Sequence, residues 1–102
     1  MRILFLGAGK RLSLLETFIA AGRRLQIPLD LIAAETSMQL PIARAARIVI
    51  APKFKEAEFE PWLIDFVTRE SIDMVVPNMD AATVALSAAR EPLERLGAWP
   101  VV

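Results

Sequence analysis

Apolar residues in this chain come in short continuous runs that alternate with stretches of helical spacing. The run Ile3-Leu4-Phe5-Leu6 reads as a strand and empties directly into Gly7-Ala8-Gly9-Lys10-Arg11. Leu12, Leu14, Leu15, Phe18, Ile19 and Leu25 then recur as one face of a helix, with Glu16, Arg23 and Arg24 mostly off it. Pro28 breaks that helix, because its ring cannot donate a hydrogen bond and restricts the residue before it. Leu29 to Ala34 predicts a second strand, which ends in the polar Glu35-Thr36-Ser37. Pro41 suits the first turn of a short helix through Ala46, and the β-branched Arg47-Ile48-Val49-Ile50 predicts a third strand.

After a loop at Ala51 to Lys55, the residues Phe59, Trp62, Leu63, Phe66 and Val67 form the cleanest amphipathic pattern, with Pro61 tolerable only in the first helical turn. An aromatic stripe at this spacing reads as core packing against a sheet. Glu70-Ser71 close the helix, and Ile72 to Pro77 predicts a fourth strand. The polar turn Pro77-Asn78-Met79-Asp80 follows, with Asp80 placed to cap a helix running to about Ala89. Pro92 is expected to start a short segment through Leu96, Gly97 to stop it, and Ala98 to Val102 to form a fifth strand.

Five strands alternating with helical patterns predict an α/β fold of right-handed units, an open doubly wound parallel five-stranded sheet. Strand order 3-2-1-4-5 places the switch point between the first and fourth strands, where ligands sit outside the carboxyl ends. Three turns converge there: Gly7 to Arg11, Glu35 to Ser37, and Pro77 to Asp80. The substrate- or ligand-facing candidates are therefore Gly7, Ala8, Gly9, Lys10, Arg11, Glu35, Pro77, Asn78 and Asp80.

Composition narrows the chemistry. The chain has 102 residues without cysteine or histidine, which removes disulfides, thiolate nucleophiles, the commonest general base and the commonest metal ligand. Ser13, Ser37 and Ser71 have no histidine partner, so no catalytic residue and no metal ligand is assigned. Twelve basic residues balance twelve acidic ones, which argues against nucleic acid as a partner. No uncharged stretch nears the ~20 apolar residues of a membrane span, and the charges at Lys10 and Arg11 interrupt any signal-like run, so a cytoplasmic location is expected. The 55% hydrophobic content suits a sheet buried on both faces, a surface covered by something outside this chain, or both.

Gly7-x-Gly9 after a strand and Glu35 at the end of the second are two of the three parts of the dinucleotide-binding fingerprint. The third glycine position is Leu12, and Glu35 lies beyond the usual interval of ~20 residues. A Walker-type loop is excluded, because Lys10 follows Gly9 directly. Lys10 and Arg11 read either as an anion clamp at a helix N-terminus or as a solvated pair, since cations there oppose the macrodipole. Glu35 reads as a solvated strand end or a ribose or substrate contact, Asp80 as a cap, and Asn78 as a turn former.

The ordered set of segments resembles a known family. Ile3 to Arg11, Leu31 to Glu35, Ala45 to Pro52, and above all Ser71-Ile72-Asp73-Met74-Val75-Val76-Pro77-Asn78-Met79-Asp80 are similar to the N-terminal, Rossmann-like preATP-grasp domain of ATP-grasp ligases, in the carbamoyl phosphate synthetase large-subunit branch. The resemblance spans residues 1 to 102. It implies a substrate-side domain of an ATP-dependent carboxylate-amine ligase, inactive alone. It further implies a downstream ATP-grasp domain as partner, ATP and magnesium held in that parent enzyme with no cofactor in this chain, and a small carboxylate or amine substrate. The chain would then end where the ATP-grasp portion begins. The competing expectations are an NAD(P)-binding domain of an oxidoreductase and a non-catalytic domain that homodimerises through its apolar face.

Overall fold

The strand β1 (Arg2–Leu6) is the centre of the molecule, because its residues Ile3 to Leu6 are buried on both faces. The computed structural model describes residues 1–7, 12–36 and 46–102. From β1 the chain enters α1 (Leu12–Leu25) and returns through β2 (Asp30–Glu35), which lies parallel to β1 with Leu6 opposite Ala34. The strand β3 (Arg47–Ile50) extends that side, with Glu35 opposite Ile50. The expected helix after Pro41 falls outside the described residues.

The helix α2 (Phe59–Glu70) then carries the chain over to β4 (Met74–Pro77), which pairs with the other edge of β1 so that Leu6 faces Pro77. Two further helices, α3 (Asp80–Ala88) and α4 (Arg90–Arg95), lead to β5 (Trp99–Pro100) beside β4. All four pairings are parallel, and the order β3-β2-β1-β4-β5 is the one expected.

Alternation along β1 explains the two-sided core. Ile3 and Phe5 face α1 in a cluster with Leu15, Leu31, Ala33 and Ile48. Leu4 and Leu6 face α2, α3 and α4 in a larger cluster with Phe59, Leu63, Leu86 and Leu93. Phe5 meets Phe18 of α1 edge to face, with ring centres 5.2 Å apart, and the aromatic stripe of α2 is indeed core, Trp62 stacking on Phe66 at 5.1 Å. The apolar excess is thus largely spent on a sheet covered on both faces, as a parallel sheet requires.

Both α1 and α2 end in the same way. Gln26 (φ 56°) and Ser71 (φ 53°) adopt left-handed backbone, and the next amide donates back into the last helical turn: Ile27 to Gly22 at 2.9 Å, Ile72 to Val67 at 3.1 Å. That use of Ile72 is why β4 begins at Met74 and not at Ile72. The second strand is displaced by one residue, to Asp30–Glu35, and three further details differ from expectation. Met79, in extended backbone, occupies the position before α3, so Asp80 is its first residue and its carboxylate makes no capping hydrogen bond. The helix α4 starts at Arg90, because Pro92 as its third residue replaces an amide that has no helical acceptor anyway. β5 is confined to Trp99–Pro100, although the Val101 amide still donates to Val75 at 3.0 Å.

Candidate functional site at the sheet switch point

The hydrogen bonds that end β1 draw the neighbouring turns to one place. Gly7 adopts φ 78°, a conformation that costs glycine little and other L-residues about 1–2 kcal/mol, and this turns the chain sharply out of the sheet. Its amide donates to the Ala34 carbonyl at 3.3 Å, which places Glu35 one residue beyond the first turn. On the other flank, the Asn78 amide donates to the Leu6 carbonyl at 3.0 Å. The Asn78 side-chain amide folds back onto the Val76 carbonyl at 3.3 Å, so it shapes its own turn.

Gly7, Glu35, Pro77 and Asn78 therefore lie together at the carboxyl ends of β1, β2 and β4. Glu35 is half-buried and its carbonyl accepts the Ala51 amide at 2.9 Å, which also brings in the loop after β3. Asp80 is exposed in the first turn of α3, where its charge complements the helix dipole. Ala8, Gly9, Lys10 and Arg11 lie outside the described residues. Among the described residues no cluster of three His, Cys, Asp or Glu side chains could hold a metal ion. None of the described helices is long and apolar enough to cross a membrane.

Two residues at this site escape sequence reasoning. A β-carbon on Gly7 would lie 2.6 Å from the Met79 sulfur and 3.4 Å from Phe54 Cε2. Met79 is about half exposed, and Phe54 rests edge to face on Phe59 at 5.1 Å. Together they give the crevice an apolar wall directly over the Gly7 backbone. The signal for Met79 was present as an apolar residue inside an otherwise polar turn, whereas Phe54 looks like any loop aromatic. A separate cavity of 360 Å3, lined by Ile19, Gly22, Arg23, Ile27 and Leu29 among others, lies at the opposite end of the sheet.

No family model matches the chain, and no curated protein matches it. Among solved structures it is similar to leucoanthocyanidin reductase from Vitis vinifera in its binary complex with NADPH, with a TM-score of 0.58 and 18% identity. The match covers 95% of this chain and 33% of that one. The fold is Rossmann-like. This corrects the resemblance to ATP-grasp ligases: the sequence segments that suggested it are those of the parallel sheet and its turns, which the NADPH-bound reductase shares as a fold. The downstream ligase domain, the ATP and the magnesium follow from that resemblance alone and are not carried forward.

Proposed function

We propose that this chain is a dinucleotide-binding domain of the NAD(P) type that serves an oxidoreductase. The observation that carries the reading is the Gly7 turn, in left-handed backbone at the end of the central strand, with its amide tied to the strand end that bears Glu35. A dinucleotide needs a tight turn at that place, so that its pyrophosphate meets the start of the following helix, and an acid beside it for the ribose. The likeness in fold to an NADPH-bound reductase supports the same reading.

The residues present fit the group. Gly7 supplies the turn, Glu35 the ribose contact, and Met79 with Phe54 an apolar wall for a flat ring. Leu12, in place of the third glycine, is accommodated because it is only half-buried, and α1 meets the sheet through Leu15 and Phe18 instead. When bound, the nicotinamide would supply hydride chemistry. The described residues bind and orient it, and no acid-base pair is assigned among them. A cytoplasmic setting, expected from the sequence, belongs to the same proposal. Titration of the chain with NADH and with NADPH, followed by nucleotide fluorescence, tests it: a saturable rise with at least one of them is expected, and flat titrations of both up to millimolar concentration overturn it.

A further inference from the structure

We infer that the cavity at the far end of the sheet binds a small carboxylate with an apolar tail, at a site separate from the Gly7 crevice and independent of the dinucleotide reading. Its 360 Å3 falls within the span of ligand pockets, roughly 300–1,000 Å3. The walls come from a close approach. A β-carbon on Gly22 would lie 2.7 Å from Leu29 Cδ1 and 3.1 Å from the Ile27 carbonyl, so glycine lets the last turn of α1 settle onto the segment that leads into β2. The Ile27 amide fastens that return by donating to the Gly22 carbonyl at 2.9 Å. Ile19, Ile27 and Leu29 line the hollow, and Ile27 is 42% exposed, which leaves apolar surface for a tail to cover.

Two polar side chains of the cavity are unused by the fold. Arg2, Arg47, Arg69 and Arg90 each hold a carboxylate, whereas Arg23, exposed in the cavity wall, forms no ion pair among the described residues. Gln26 keeps left-handed backbone at φ 56°, where glycine would cost less, and its carboxamide makes no hydrogen bond among the described residues. Strain retained at a cavity for a side chain that the fold does not use points to a ligand. A guanidinium fork takes a carboxylate through two parallel hydrogen bonds, and a carboxamide N–H can add a third. The end of α1 opposes an anion with only about half a charge, and its Gly22 and Arg23 carbonyls already accept the Ile27 and Gln26 amides. Arg23 and Arg24 in the last turn outweigh it. Asp30, the acid nearest in the chain, is held by Arg2 at 3.1 Å.

Titrations of the isotope-labelled chain with hexanoate, hexanol and hexylammonium, followed by amide NMR, test the inference. Hexanoate should give saturable shifts at Gly22, Arg23, Gln26, Ile27 and Leu29, with an affinity at least about threefold above that of hexanol, and hexylammonium should bind more weakly than either. The advantage of hexanoate should shrink with added salt and vanish in Arg23→Met. Gln26→Gly should weaken hexanoate at least about twofold while leaving the domain folded, a loss that a purely structural role for Gln26 would not produce. Shifts that do not saturate, that lie away from the cavity, or that are as strong with hexanol or hexylammonium as with hexanoate overturn the site on the unaltered chain alone. A preference for hexanoate that survives in Arg23→Met overturns it as well.

Discussion

Gly7 and Met79 face each other across the switch point, with 2.6 Å between the Met79 sulfur and the place a β-carbon on Gly7 would take. Two separate penalties thus oppose a larger residue at position 7. The first is the left-handed backbone at φ 78°, which costs an alanine about 1–2 kcal/mol. The second is the contact itself, which a half-exposed and flexible thioether can relieve by swinging away. Gly7→Ala is therefore expected to lower stability by about 1–2 kcal/mol, and Met79→Ala should restore less than half of that. Urea denaturation of the two single variants and the double variant measures the coupling. A Gly7→Ala cost that vanishes in the double variant would show that contact, and not backbone, sets the requirement for glycine.

Gln26 and Ser71 occupy the left-handed positions where glycine usually ends a helix. Each carries a β-carbon that the conformation penalises, while glycine would add freedom to the unfolded chain. The penalty outweighs that freedom, so Gln26→Gly and Ser71→Gly should each stabilise the domain by about 0.5–1 kcal/mol. In a domain of this size, melting temperature should rise by roughly 2–8 °C for each. A fall in melting temperature for both would mean that the Gln26 and Ser71 side chains make contacts worth more than the strain.

The sheet order was legible because period and punctuation agree throughout: each short apolar run ends at a glycine or polar turn, and each helical stretch fits a crossover. Pro92 and Ile72 show where that reading stops. Whether a proline opens a helix or sits in its third position depends on where α3 releases the chain. Whether Ile72 starts a strand or finishes a helix depends on which carbonyl its amide finds. The site was half legible for a similar reason. Gly7 and Glu35 can be placed at strand ends from the pattern of apolar runs, but Met79 and Phe54 reach the same crevice only through tertiary packing. The family reading failed on the same ground, since the segments that suggested a ligase are those any parallel sheet of this order needs.

Phe59 has its ring almost wholly buried, between Phe54 at 5.1 Å and Trp62 at 5.9 Å. Truncation to alanine removes this ring from the centre of the larger cluster and leaves a cavity, so Phe59→Ala should cost about 3–5 kcal/mol. Val84, 71% exposed on α3, provides the contrast, and Val84→Ala should change stability by less than about 0.5 kcal/mol. Chemical denaturation followed by far-ultraviolet circular dichroism reads both. Equal and small costs at the two positions would mean that α2 does not pack on the sheet as described.

Arg47 and Glu70 tie the start of β3 to the end of α2, with Arg47 Nη2 donating to Glu70 Oε1 at 2.6 Å. That hydrogen bond, aided by the charges of Arg47, Arg2 and Arg69, holds the Glu70 carboxyl below its ordinary value against the opposing effect of desolvation. A carboxyl whose folded pKa is depressed binds its proton more weakly than in the unfolded chain. Its contribution to stability is therefore full above the ordinary pKa of about 4.5 and is lost as the pH falls through the lower folded value. Arg47→Met removes the donor and the nearest charge, so the variant should lose stability near neutral pH and less, or none, in acid where Glu70 is protonated in both states. Urea midpoints of the two proteins, compared from pH 7 down to pH 2.5, should converge in acid. Parallel curves across that range would show that the ion pair does not set the acid response of the fold.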